Sequence, residues 1–191
     1  VGVDLAGVET NDTGFCILDE EINAEVFILH TNDEIVDKIK EIKPKVVAID
    51  APLSLPKGRK SLKAKSNIHL RECDRELLRM KIKFFPITLG PMRKLTERGI
   101  KLKGILEKER FNVIEVYPGA AQDMWKIARK QYGLSKLKRG LEKLGVKGLK
   151  NSMTGDELDG VSAAIVGKMY VEGNYLAIGD EKEGLMILPK E

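Results

Sequence analysis

Three short apolar runs, each with one acidic residue, constrain the fold of this chain more than any other feature of its 191 residues. They are VGVDLAG with Asp4, VVAIDAP with Asp50 and FNVIEVYP with Glu115. Runs of this length and composition are typical of buried β-strands. The later runs follow long segments with helical spacing, and helical crossovers connect parallel strands. The runs therefore predict a sheet that is parallel at its centre.

The first part of the chain predicts antiparallel pairing instead. Residues 1–6, 13–18 and 24–30 have the composition of strands and are separated by short turns. Together with the later runs they predict an α/β fold with a mixed sheet, three antiparallel strands followed by parallel strands, and helices on both faces.

Helical spacing and capping residues place the helices. Thr31 or Asn32 is expected to cap one, and Thr154 with Glu157 matches the capping box, which satisfies two free backbone donors. Further helices are predicted over residues 67–81, 93–109, about 119–131 and 135–144. We expect residues 1–191 to form a single domain, with a helical insertion at about 57–110 and a C-terminal hairpin at about 174–189.

The acidic residues of these elements predict a metal site. Pairing the three acidic strands is expected to bring Asp4, Asp50 and Glu115 together, because sites in open α/β sheets form at the ends of central strands. Asp156 and Asp159 share a face of the last helix, and Asp159 is in line with its apolar residues. A buried carboxylate needs a proton, a partner or a metal. Oxygen ligands without a nearby histidine suit Mg²⁺ or Mn²⁺.

Each acid also has a simpler interpretation. Asp4 is a candidate cap for the turn at Gly7, and Asp50 precedes Ala-Pro, where aspartate often starts a turn. Glu115 fits the solvent side of an edge strand, and the helix dipole alone favours Asp156. The joint pattern, not any single residue, favours a shared site.

The charge distribution favours a phosphate-rich partner. The net charge is only +4, but residues 126–150 contain nine basic residues and one acid, and residues 57–65 contain basic residues and no acid. The alternative is a lysine-rich solvated surface. We expect DNA or RNA as the partner, and the candidate substrate-binding residues are Lys57, Arg59, Lys60, Arg71, Lys126, Arg129 and Lys130.

Some of these candidate residues and their neighbours also have a purely structural explanation. Arg71 with Arg75 is more simply explained by surface ion pairs with Glu72 and Glu76. Trp125 and Tyr132 interleave with basic residues and are candidates for stacking on bases, although helix packing explains them as well.

Composition excludes other classes of protein. No segment approaches the length of an apolar membrane span, so no membrane partner is expected. The chain shows no signal-peptide pattern, and its two cysteines suit a cytoplasmic protein with reduced thiols better than a disulfide scaffold.

The motifs VGVDLAG, VVAIDAP, VIEVYPGAA and TGDELDGVSAA together resemble the predicted nucleases of ribonuclease-H-like fold that are catalogued as a domain of unknown function. The D-x-x-D opening of the last helix also resembles the Holliday-junction resolvase branch of that superfamily. The resemblance implies the ribonuclease-H-like fold and two-metal phosphodiester hydrolysis. It assigns metal-ligand positions to Asp4, Asp50, Asp156 and Asp159, with Asp50 standing where the resolvase branch usually has glutamate. It assigns no role to Glu115, which is a catalytic candidate only because it lies in an apolar strand like Asp4 and Asp50.

The leading hypothesis is a metal-dependent nuclease that acts on DNA or RNA. An ATP-dependent phosphotransferase of the actin-like and sugar-kinase type is the first alternative, but the region near Gly155 and Gly160 lacks the second glycine-rich phosphate loop that it would need. A non-catalytic nucleic-acid-binding protein of the same fold is the second alternative.

Overall fold

A computed structural model describes residues 1–190 of the chain, and its centre is a seven-stranded mixed sheet with the order β3-β2-β1-β4-β5-β7-β6. The strands are β1 (Gly2–Asp4), β2 (Thr13–Leu18), β3 (Ala24–Leu29), β4 (Val47–Asp50), β5 (Val113–Val116), β6 (Tyr175–Asp180) and β7 (Gly184–Pro189). β1 pairs with β4, β4 with β5, and β5 with β7 in parallel, whereas β1–β2, β2–β3 and β6–β7 are antiparallel. The predicted mixed α/β fold is confirmed, and the arrangement is consistent with that of ribonuclease H.

Helices cover both faces of the sheet. They are α1 (Asn32–Ile42), α2 (Glu72–Arg79), α3 (Gly90–Lys108), α4 (Pro118–Met124), α5 (Leu134–Lys143) and α6 (Gly155–Val171). On one face, α1 and α3 pack on β1 and β4 through residues such as Ile39, Leu102 and Ile49. On the other face, α6 packs on β4 and β5, with Ala163 and Val166 buried against Ala48. Side chains alternate along each strand, so successive residues face opposite sides of the sheet.

Capping residues fix the start of α1 and α6 where the sequence predicts them. Thr31 and Thr154 each accept a hydrogen bond from the backbone N–H three residues later, and Glu34 and Glu157 complete the two capping boxes. The C-terminal hairpin also forms as predicted, and β7 adds it to the parallel side of the sheet.

Two predicted helices are shorter than expected. Residues 67–71 are not helical: α2 begins at Glu72, and Asp74 accepts from the Arg71 N–H at this start. The helix expected over 119–131 ends at Met124, because Lys126 adopts a left-handed φ of 57° and the Ile127 N–H returns to the Gln122 carbonyl. A 3₁₀ turn (Lys130–Tyr132) follows.

The insertion at about 57–110 contains α2 and α3 but begins as a loop. Among residues 1–190, none of the helices combines the length and hydropathy that crossing a bilayer requires.

Candidate active site

Asp4 and Asp50 lie side by side at the ends of two central strands. They are Cα partners in the parallel β1–β4 pair, so their side chains leave the same face of the sheet. Gly2 precedes Asp4 by two residues on that face, and a β-carbon at Gly2 would overlap the backbone of α6 at Gly160 and Ala164. This close packing directs Asp4 toward α6.

The first turns of α6 bring two more carboxylates to Asp4. Gly14 of β2 lies against the backbone of Asp156, where a β-carbon would overlap the Asp156 carbonyl, so glycine is required for this approach. One turn further along α6, Asp159 is only 7% exposed and faces the sheet, as its helical position predicts.

Lys130 is the cation at the centre of this group. Its Nζ lies 2.8 Å from Asp156 Oδ1, 3.0 Å from Asp159 Oδ2 and 3.2 Å from Asp4 Oδ2. The side chain reaches the acids because the early end of α4 turns the chain back and places the 3₁₀ turn beside α6. Carboxylates from β1 and α6 therefore surround one cationic position.

Asp159 is held by a second contact. Gln122 of α4 is buried, and its Nε2 donates to Asp159 Oδ1 at 2.7 Å and to Ser162 Oγ at 3.0 Å. The amide therefore fixes the orientation of the Asp159 carboxylate while leaving Oδ2 for Lys130.

One ammonium does not balance the negative charge of this group. Burial, opposed by Lys130 and reinforced by Asp159 and Asp156, raises the pKa of Asp4 to about 7. Burial and the neighbouring Asp4 raise the pKa of Asp50 well above its usual range. Within residues 1–190 the Asp50 carboxylate makes no hydrogen bond or ion pair to another side chain. The site therefore favours the uptake of further positive charge or of protons.

The raised pKa of Asp4 predicts that its ionisation destabilises the fold. Between pH 4 and pH 7 the folded state holds a proton that the unfolded state has released, so the free energy of unfolding falls as the pH rises through this window. Relative to Asp4→Asn, we expect the wild type without metal to lose on the order of 3 kcal/mol between pH 4.5 and pH 7.5. Urea denaturation of both proteins across this range measures the difference, and a difference that does not change with pH would contradict the assignment.

Glu115 does not join the four aspartates. The expectation that strand pairing brings Asp4, Asp50 and Glu115 together is wrong for Glu115, because its Cα partner is Ile49 and not Asp50. The side chain therefore leaves the opposite face of the sheet. There its Oε2 accepts from Arg71 Nη1 at 2.7 Å and from the Leu53 N–H at 2.8 Å.

Arg71 is also not at the surface. It is 1% exposed and pairs with Glu115 and Asp74, so Arg71 forms no surface pair with Glu72 or Glu76. Arg75 does pair with Glu72 at the surface. Arg71 therefore neutralises two buried acids and has no free face for a phosphate.

The remaining basic candidates fall into two groups. Arg59 is buried and donates to the carbonyls of the loop around it, including Leu62 and Ile68, and Arg129 pairs with Asp123. These two arginines therefore hold local structure. The candidate lysines Lys57, Lys60 and Lys126 are exposed and, in the part of the chain that the structure describes, form no ion pair.

Sequence reasoning missed the partners of the acids. Gln122 carried no signal, because a glutamine in an apolar helix segment has no characteristic spacing. The glycines of V-G-V-D and T-G-F did carry one, since glycine inside a strand indicates a close approach of another backbone. Trp125 packs in the core beside α6, whereas Tyr132 is 65% exposed.

Comparison with known proteins gives one family. No curated protein and no solved structure matches the chain. The family model described as "Protein of unknown function (DUF429)" matches residues 2–183, which is nearly the whole chain. The chain belongs to this DUF429 family of proteins of unknown function.

Proposed function

We propose that the protein is a metal-dependent nuclease of ribonuclease-H-like fold that hydrolyses phosphodiester bonds of DNA or RNA with Mg²⁺ or Mn²⁺. One observation carries the proposal: Asp4, Asp156 and Asp159 converge on a single cationic position, with Asp50 beside Asp4 at the sheet edge. Asp159 is buried and Asp156 is 41% exposed, and carboxylates this close together repel one another unless a cation balances their charge.

The donor chemistry fits a hard divalent cation, because every candidate ligand is a carboxylate oxygen. The spacing of the carboxylates does not fit a bound metal: across residues 1–190 no group of three or more histidine, cysteine or acidic side chains is arranged to hold one. Lys130 Nζ lies at the centre of the aspartates instead. Lys130 is 40% exposed and has a long flexible side chain, so it is able to leave this position. The proposal therefore requires that metal binding displaces Lys130.

Each residue then has a role that follows from its position. Asp4, Asp50, Asp156 and Asp159 would hold the metal, and Gln122 keeps Asp159 oriented toward it. The displaced Lys130 ammonium would remain nearby to pair with a phosphate of the substrate. When bound, a pair of such ions activates water and stabilises the leaving oxygen.

Cleavage is the direct test. Labelled single-stranded and duplex DNA and RNA are incubated with the protein and Mg²⁺ or Mn²⁺, and we expect hydrolysis that EDTA abolishes. Hydrolysis that persists in EDTA, or none of any substrate, would overturn the proposal.

Displacement of Lys130 predicts that removing its charge strengthens metal binding. Lys130→Met keeps the length of the side chain and removes a cation that competes for the same oxygens. By calorimetric titration at pH 7.5 we expect at least about 10-fold tighter binding of Mn²⁺ than in the wild type. Lys126→Met is the matched control, because Lys126 is exposed and forms no ion pair among the described residues, and its affinity should be unchanged. Equal affinity in the wild type and Lys130→Met would show that the ammonium and the metal do not share a position.

The Lys130 contacts also favour a second function. An ammonium that already pairs with three aspartates is a structural substitute for a metal, as expected in a non-catalytic nucleic-acid-binding protein. For such a protein, binding of DNA or RNA survives EDTA, metal titration gives no heat, and no substrate is cleaved.

A further inference from the structure

We propose that an open groove beside the acidic site binds single-stranded nucleic acid by stacking bases on Phe85 and Tyr132. We call it the aromatic groove. One wall is the end of α2 with the segment that follows it, residues 78–86, and the other includes Tyr117 and the 3₁₀ turn. This inference rests on the proposed function, because it names the form of nucleic acid that the site would receive.

The aromatic groove is large enough for part of a nucleic-acid strand. Its volume is about 800 Å³, and it is partly open to solvent. That space is within the range of sites that hold several rings or a short stretch of chain. The second wall includes Arg129, Gln131 and Tyr132, so the groove runs past the 3₁₀ turn that carries Lys130.

Two exposed aromatic rings line this groove. Phe85 is 71% exposed and Tyr132 is 65% exposed, although the neighbouring Phe84 packs into the core. Single exposed apolar residues are ordinary, but two large rings facing one groove form an apolar surface that water solvates poorly. A base stacks on such a ring whatever its identity, since every base has a π-face.

The charge of the groove complements phosphate. Lys81 and Lys83 are exposed along its wall and, within residues 1–190, form no ion pair. The one acid of the lining, Asp123, is neutralised by Arg129, which also donates to the Tyr117 hydroxyl at 3.1 Å. Two free cations beside two exposed rings are the combination that sequence-tolerant single-strand binding uses. Duplex DNA keeps its bases stacked and cannot offer their faces to these rings.

Two residues of the groove wall are chain neighbours of residues in or beside the acidic site. Arg129, in its wall, directly precedes Lys130, whose ammonium contacts Asp4. Tyr117, in the same wall, directly follows Val116, which is the Cα partner of Asp50. We therefore expect a strand stacked on Phe85 and Tyr132 to bring a neighbouring phosphate toward Lys130, which contacts the acids.

The test measures binding without cleavage. Fluorescence anisotropy with labelled 12-nucleotide oligo(dT) and oligo(rU), in EDTA at low salt, gives the affinity of each variant. We expect Phe85→Ala and Tyr132→Ala each to weaken binding by about 5- to 100-fold, whereas Phe85→Tyr and Tyr132→Phe keep the wild-type affinity. Leu176→Ala is the matched control: Leu176 is 39% exposed on β6, and its loss should change nothing.

The salt dependence of binding tests the contribution of the groove's positive charge. Lys83→Gln should lower the slope of log affinity against log salt by about 0.7, the value for one phosphate contact on a single strand. Lys101→Gln, an exposed lysine on α3, should leave the slope unchanged. A duplex of the same length should bind more weakly and be insensitive to both aromatic substitutions.

Three results would overturn the aromatic groove: no binding of either oligonucleotide by the wild type, full affinity in both alanine variants, or an alanine variant that converts a dimer into a monomer. The last result would make a second copy of the chain the occupant. Binding that is sensitive to Phe85 and Tyr132 without any cleavage in Mg²⁺ would support the groove and overturn the nuclease. Cleavage with no effect of either ring would do the reverse.

Discussion

Asp4→Asn is expected to lower the rate of metal-dependent cleavage at least about 100-fold while leaving the fold intact. Loss of a residue that only supports a metal ligand costs about 10- to 100-fold, so loss of the ligand's own charge should cost no less. The amide has almost the shape of the carboxylate, so packing at the end of β1 should change little. Single-turnover cleavage of a labelled oligonucleotide in Mg²⁺ measures the effect.

Two comparisons show whether the effect is specific. Asp159→Asn should lose cleavage to a similar extent, because Asp159 contacts the same cationic position from α6. Asp37→Asn is the matched control, since Asp37 is exposed on α1 and forms no ion pair in the described part of the chain. A wild-type cleavage rate in either Asp4→Asn or Asp159→Asn would show that the substituted carboxylate takes no part in the reaction. A comparable loss in Asp37→Asn would trace the effect to general charge instead.

The sequence was sufficient for the sheet and for part of the site. Apolar runs, turn residues and the two capping boxes are local signals, and local signals predicted the strands around Asp4 and Asp50 and the start of α6. The position of Asp159 followed from helical periodicity, because its apolar neighbours on the helix had to face the sheet. These inferences needed no knowledge of which side of a strand a residue occupies.

The sequence was not sufficient for Glu115. Its neighbours Ile114 and Val116 are both apolar and both pack on the α6 face, so the run gives no alternation from which to assign a face. A shift of one residue in strand register moves a side chain to the other face of the sheet, and only the β4–β5 pairing fixes it. A prediction based only on where strands end therefore grouped Glu115, which lies on the face covered by α3, with Asp4 and Asp50, which lie on the face covered by α6.

The partners of the buried charges were equally hidden. Lys130 reaches Asp4 across 126 residues of sequence, and Arg71 reaches Glu115 across 44. Neither arginine nor lysine carries a local mark of burial, and both stood in stretches with many surface charges. Long-range pairs of this kind can be predicted only when the positions of the helix ends are known. Here those positions depend on the left-handed backbone of Lys126 and on the loop before α2.

Arg71→Met is expected to destabilise the protein by about 3–5 kcal/mol, the largest effect on stability that the structure predicts. Arg71, Asp74 and Glu115 are all at most 5% exposed, and the guanidinium is 3.0 Å from Asp74 Oδ1 and 2.7 Å from Glu115 Oε2. Burial alone would lower the pKa of Arg71, but the two carboxylates raise it well above its usual value. Methionine fills similar space and leaves two buried carboxylates without a cation, so they must take up protons or the region must open.

An exposed arginine at the other end of α2 separates this mechanism from a general loss of charge. Arg79 pairs with Glu72 at the surface with a 66% exposed side chain, so Arg79→Met should cost less than about 1 kcal/mol. Adding Asp74→Asn and Glu115→Gln to Arg71→Met should restore most of the lost stability, because the uncompensated charges are then gone. Urea denaturation of the four proteins at pH 7.5 measures these differences. If the triple variant is no more stable than Arg71→Met, lost packing and not unpaired charge is the cause, and the ion-pair network is not what holds α2 against β5.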